Sequence, residues 1–228
     1  MEAPPKRTVF DAVSSIEQTS ICRLIYFAQI KSHQQVLTFF SDYSTNSFFD
    51  RISGLLLVYP SSVLHLVEAD EETIYTTCLD LIMTEANGLT ICRCLPVHVS
   101  TSGRLFPRWF MRKVNPPLGN GETTDFGDMM KMRNFYFNMV DIFYKFYFEL
   151  KEGTANTEEL KDKLDALTHE TPTSSIPSEN LIKSLLKTPR GFELSTLTEN
   201  YWSGIVEKES IIWPFPDIQE SSISLSEP

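Results

Sequence analysis

Apolar and polar residues alternate in a way that changes period several times along this chain. Residues 21–29 (ICRLIYFAQ) are rich in β-branched and aromatic side chains and predict a strand. In 31–49, Val36, Phe39 and Phe40 recur at helical spacing, and the stretch SDYSTNS gives that helix a turn-like end. Residues 52–60 (ISGLLLVYP) form a nearly continuous apolar run, the pattern of a central strand covered on both faces. A short Pro60-Ser61-Ser62 turn leads into 62–69 (SVLHLVEA), the second arm of a hairpin. Asp70 stands as an N-cap, with Glu71 and Glu72 in the first turn of a helix that runs to about Thr84. Its apolar stripe is Ile74, Cys78 and Ile82, and Asn87-Gly88 stops it. Residues 89–99 predict a fourth strand, with Pro96 marking an edge or a bulge, and 108–114 a short fifth. The order is β-α-β-β-α-β-β, an α/β (α+β) domain over 21–114.

The pattern shifts outside that domain. Residues 1–20 read as a flexible arm, and 115–130 as a linker of Pro, Gly and acidic residues. A helical extension is expected over 131–190. Its segment 133–151 holds eight aromatics, and its apolar residues lie almost all round the helix, which implies contact on several sides. A charged helix over 156–169 and a short one over 178–187 follow, separated by a polar loop. Residues 191–228 read as an extended tail carrying Tyr201, Trp202, Trp213 and Phe215.

Side chains alternate along a strand, so parity sorts the sheet faces. Leu24, Tyr26 and Ala28 share one face, as do Val63, His65 and Val67, and Trp109 and Met111. If these look toward the two helices, Tyr26, His65, Trp109 and Met111 converge. The opposite face would then carry Ile25, Phe27, Leu64, Leu66 and Phe110. Left bare, it would be a large apolar patch, so the aromatic helix is its natural cover.

Composition narrows the function classes. A net charge of −10 and a pI near 4.9 repel phosphates, so neither nucleic acid nor a membrane is an expected partner. The start of the chain has no secretory h-region, and no apolar run reaches the ~18 residues of a span. Cys22, Cys78, Cys92 and Cys94 lie in apolar runs, as buried thiols of a reduced, cytoplasmic compartment would. Cys92, Cys94 and His98 share strand parity, but C-x-C-x-x-x-H is no usual zinc spacing, so no metal is expected. There is no phosphate-binding glycine loop and no H-E-x-x-H motif. No constellation predicts an enzyme.

Four stretches together resemble the BLUF family of small flavin-binding light sensors: Arg23-Leu24-Ile25-Tyr26, Ile52-Ser53-Gly54-Leu55-Leu56, Leu64-His65-Leu66-Val67-Glu68, and Phe106 with Trp109-Phe110-Met111. The resemblance implies a ferredoxin-like sandwich. It also implies that a tyrosine on the first strand bonds a glutamine on the third, which touches the flavin. Tyr26 matches the tyrosine, and Trp109 and Met111 match the last-strand pair. The glutamine position falls on His65, and the flavin-holding asparagine position on Ser47, one residue from Asn46. An imidazole offers its donor and acceptor on opposite sides of a ring, so His65 cannot repeat the amide's exchange. The pocket positions Tyr26, Ser47, His65, Trp109 and Met111 therefore read as vestigial, with no cofactor expected and FAD the alternative.

The domain with its extension is similar to a testis-expressed vertebrate branch of BLUF-like proteins. That likeness implies a non-enzymatic protein-interaction or scaffold role, with axonemal proteins of the sperm flagellum as partners. The alternative is a flavin-based blue-light or redox sensor. The expected partner anchors are Phe143, Phe146, Tyr147, Trp202, Trp213 and Phe215.

Overall fold

Strand β1 (Ile21–Ile30) is the spine of the sheet. In this computed structural model, which describes residues 21–44, 51–84, 87–95, 97–100, 103–114, 129–154, 156–169, 176–188 and 192–202, it is paired on both edges. Helix α1 (His33–Ser44) follows, then β2 (Ser53–Val58), β3 (Ser62–Ala69), α2 (Glu71–Met83) and β4 (Leu89–Cys94). The strand order β2-β3-β1-β4, with every pairing antiparallel, is the ferredoxin-like arrangement. Beyond it, β5 (His98–Ser100) also pairs β1, and β6 (Trp109–Lys113) lies parallel to β2 at one edge. The α/β sandwich expected from the resemblance is therefore the observed fold.

Two local features shape these elements. Gly54 has φ +139°, and a Cβ there would stand 2.0 Å from the Leu66 carbonyl oxygen, so only glycine lets β2 lie this close to β3. Asp70 caps α2 by accepting from the Thr73 N–H at 2.9 Å and from its hydroxyl at 2.7 Å.

The extension contributes α3 (Met129–Lys151), α4 (Thr157–His169) and α5 (Glu179–Lys187), then β7 (Phe192–Glu193) on β4, and α6 (Leu194–Trp202). Helices α3, α4 and α5 cover the face that carries Ile25, Phe27, Leu64, Leu66 and Phe110. On the opposite face, Val36 and Phe40 of α1 and Ile74, Cys78 and Leu81 of α2 pack on Leu24, Tyr26, Ala28 and Val67. Glu179 pins α5 to the β2–β3 turn, accepting from the Ser61 N–H at 2.7 Å and the Ser61 hydroxyl at 2.8 Å. Tyr59 Oη, buried in the sheet, donates to the Pro177 carbonyl at 2.8 Å.

Several expectations need correction. The single strand expected over 89–99 is two strands, β4 and β5, both on β1. The break falls between the end of β4 at Cys94 and the start of β5 at His98; Pro96, a residue type with no N–H for a ladder, lies outside the described residues. The tail expected to be extended from 191 forms α6 over Leu194–Trp202. Its Ser, Thr and Asn hide the helical spacing of Leu194, Leu197 and Thr198, of which Leu194 and Thr198 are buried and Leu197 packs beside them. Tyr201 of α6 stacks on Tyr75 of α2, with ring centroids 3.7 Å apart and planes 7° from parallel. The expected arm 1–20, most of the linker, and the tail beyond Trp202 lie outside the described residues.

Phe143, Phe146 and Tyr147 are also corrected. All three are buried under the sheet, so they are core residues and no partner reaches them. The helix has aromatics on every side, and only its docking decides which of them turn inward. Those left exposed are Phe137 and Phe148.

Candidate functional site

The antiparallel register sets Tyr26 of β1 directly opposite His65 of β3, and Leu56 of β2 lies between His65 and Met111 of β6. Trp109, two residues before Met111, shares that face. Tyr26, His65, Trp109 and Met111 are thus brought together as parity predicts. Tyr26 and His65 are fully buried, while Trp109 and Met111 are half-buried.

The hydrogen bonds decide what His65 can do. Trp109 Nε1 donates to His65 Nε2 at 2.8 Å, and His65 Nδ1 lies 2.8 Å from Tyr26 Oη. An indole N–H only donates, so Nε2 is the acceptor and the neutral ring carries its proton on Nδ1, donated to Tyr26. Burial pulls the imidazole down to about 3, which keeps it neutral. Protonation would also turn Nε2 into a second donor facing the indole N–H.

Phe40 of α1 closes the group. Its ring meets His65 edge-on, with centroids 5.8 Å apart, and lies nearly parallel to Trp109 at 6.2 Å. The sequence shows Phe40 only as part of an apolar stripe. Its role over His65 depends on the azimuth of α1, which no local pattern records. In the arrangement the BLUF resemblance implies, the residue at this position touches flavin. Here both imidazole nitrogens are engaged by protein groups and the ring of Phe40 meets the imidazole edge-on, so these residues do not fit that contact. Ser47 lies outside the described residues, as do Trp213 and Phe215; Trp202 is in α6, but its side chain is not described.

A second polar group, which the sequence did not reveal, holds the approach to β6. Buried Glu68 accepts from Arg23 Nε at 2.8 Å, from Ser53 Oγ at 3.2 Å, and from the backbone N–H groups of Leu105 and Phe106 at 2.8 and 3.0 Å. Arg104 adds bonds to Ser53 Oγ and to the carbonyls of Glu68 and Arg51. The clip fixes the segment from which Trp109 reaches His65.

The cysteines are free. Burial pushes the Cys94 thiol up to about 12 and Cys92 to about 11, and raises Cys78 as well, so none supplies a thiolate near neutrality. Among the described residues no group of three His, Cys, Asp or Glu could hold a metal, and no helix is long and apolar enough to cross a membrane.

Three solved structures resemble the chain at 18% identity. BlrB, a BLUF protein in its dark state, is matched over 42% of this chain and 73% of that one, with a TM-score of 0.36. The photo-activated state of BlsA is matched over 68% of this chain and 99% of that one, at 0.35. A bacterial light-regulated adenylyl cyclase is matched over 64% of this chain but only 40% of its own length, at 0.37. A sequence profile described as Testis-expressed protein 47 matches residues 20–203, which takes in the sheet, its helices and the extension. The chain belongs to the testis-expressed protein 47 family.

Proposed function

We propose that this chain is a non-enzymatic protein-interaction scaffold on a BLUF-like domain that binds no flavin, acting in an axonemal assembly of the sperm flagellum. One observation carries the reading: His65 is bonded on both ring nitrogens, by Tyr26 and Trp109, with the ring of Phe40 in edge contact. A side chain spent in this way has nothing left to offer an isoalloxazine edge. The protonated thiols supply no nucleophile, and the family's testis expression supports the germ-cell setting. Trp202, Trp213 and Phe215 are the proposed anchors, aromatic side chains suited to a groove on a partner protein. The other reading, an FAD-binding sensor in the cytoplasm, draws its support from the retained Tyr26, Trp109 and Met111.

The test is recovery of partners from sperm flagella with the tagged chain and with its Trp213→Ala/Phe215→Ala variant. Axonemal proteins should be enriched with the parent and reduced several-fold with the variant. Equal recovery removes the tail from the reading, and recovery of no axonemal protein overturns it.

A further inference from the structure

Helix α6 follows β7 and packs on α2 and β4. Leu194 and Thr198 are buried there and Leu197 packs beside them, while Tyr201, in the last turn, stacks on Tyr75 of α2 with ring centroids 3.7 Å apart. A helix of nine residues has little stability by itself, so these contacts decide whether it stays folded. Among the tyrosines whose side chains are described, the others are fully buried or lie inside longer helices. Tyr201 is half-buried and one residue from a helix end.

The stack places the Tyr201 ring in an acidic setting. Tyr75 lies near the start of α2, whose first turn carries exposed Glu71 and Glu72 behind the Asp70 cap. Burial, and then the charges of Glu71, Glu72 and Asp70, raise the Tyr201 hydroxyl above the usual tyrosine range. Asp70 is engaged elsewhere as well: it accepts from the Thr73 N–H and faces Arg51. Three carboxylates outweigh the half positive charge of that helix end. The last turn of α6 holds no basic residue, and a helix C-terminus itself disfavours an anion. A neutral tyrosine is tolerated between these groups, whereas a dianion would be repelled by both helices.

We propose that Tyr201 is a phosphorylation site whose modification releases α6 from α2. The step is transfer of the γ-phosphoryl group of ATP by a tyrosine kinase. The bond from Tyr201 Oη to phosphorus forms, the bond from that phosphorus to the ADP oxygen breaks, and the phenolic proton leaves to solvent. The product carries about −1.5 to −2 charges at pH 7, set in the C-terminal turn of α6 and beside Glu71 and Glu72. Undocking bares Tyr75 next to Leu79, one turn along α2 and already 36% exposed. Release is read in the isolated chain, so it stands or falls separately from the scaffold reading: a latch that opens in a chain capturing no axonemal protein, or a capturing chain whose latch stays shut, tells the two apart.

Hydrogen exchange of the whole chain, before and after reaction with ATP and a broad-specificity tyrosine kinase, tests it. Mass spectrometry should place a phosphate on Tyr201. The amides of residues 194–202 should then exchange about tenfold faster, with those of β1 and β3 unchanged. Tyr201→Phe should keep the parent's protection and show no change there after kinase treatment. Glu71→Gln/Glu72→Gln should return part of the lost protection to the phosphorylated chain. A chain that takes no phosphate on Tyr201 overturns the proposal, as does phosphorylated Tyr201 with unchanged exchange over 194–202. Loss of protection in Tyr201→Phe, or no recovery in the glutamine variant, overturns release by charge.

Discussion

Beneath α3, Phe27, Leu66 and Phe110 of the sheet meet Phe143, Phe146 and Tyr147. On the opposite face, Tyr26, His65 and Trp109 meet Phe40. Both surfaces are aromatic, but they are held together differently. The first is sealed by added sequence, through apolar area, with Glu179 and Tyr59 tying the extension to the strands. The second is sealed by polar groups turned inward: the Tyr26 hydroxyl and the Trp109 N–H meet on one imidazole. The Tyr26 hydroxyl and the Trp109 N–H are turned toward each other's common partner, His65, rather than outward.

The largest expected effects compare the faces directly. Phe143→Ala should cost about 3–5 kcal/mol of stability in denaturant unfolding, as for any fully buried phenylalanine. Phe40→Ala should cost about as much, since its ring is equally buried and packed. A loss at Phe40 below about 1 kcal/mol would mean that this face is an open cleft rather than core.

Acid should act on the His65 face. The unfolded imidazole takes its proton near 6.5, whereas the folded one waits until about 3. Between these values the unfolded chain holds the extra proton, so stability falls as pH falls. About 2 kcal/mol should be lost from pH 7 to pH 5 on this account. His65→Gln should flatten that segment of the pH–stability curve, and an unchanged slope would place the acid sensitivity elsewhere.

A smaller effect isolates one bond. Trp109→Phe removes the donor to Nε2 and should cost about 1 kcal/mol. It should also raise the His65 pKa, because the ring can then accept a proton without facing another donor. A His65 resonance that titrates no higher in the variant would show that the indole contributes nothing to holding the neutral form.

How much of this was legible depended on whether the signal was local. Strand parity is local, so the sequence alone places Tyr26, His65, Trp109 and Met111 on one face. The use of both His65 nitrogens could not, since it depends on where β6 sets the indole and where α1 sets Phe40. Glu68 read as one more strand residue. Its partners at Leu105 and Phe106 come from a segment far along the chain, and no pattern in either stretch announces the contact. In α3 the all-round hydrophobicity showed that the helix is used on several sides. Which aromatics turn inward is a matter of docking, and for that reason the pattern does not tell buried Phe143, Phe146 and Tyr147 from exposed Phe137 and Phe148.

The central proposal is that His65, bonded on both nitrogens, leaves this face without flavin. Titration of the purified 228-residue chain with FAD, followed by flavin fluorescence and absorbance, tests it most directly. The account predicts a colourless protein and no saturable binding up to about 100 μM. A stoichiometric yellow complex whose spectrum shifts under blue light would contradict it.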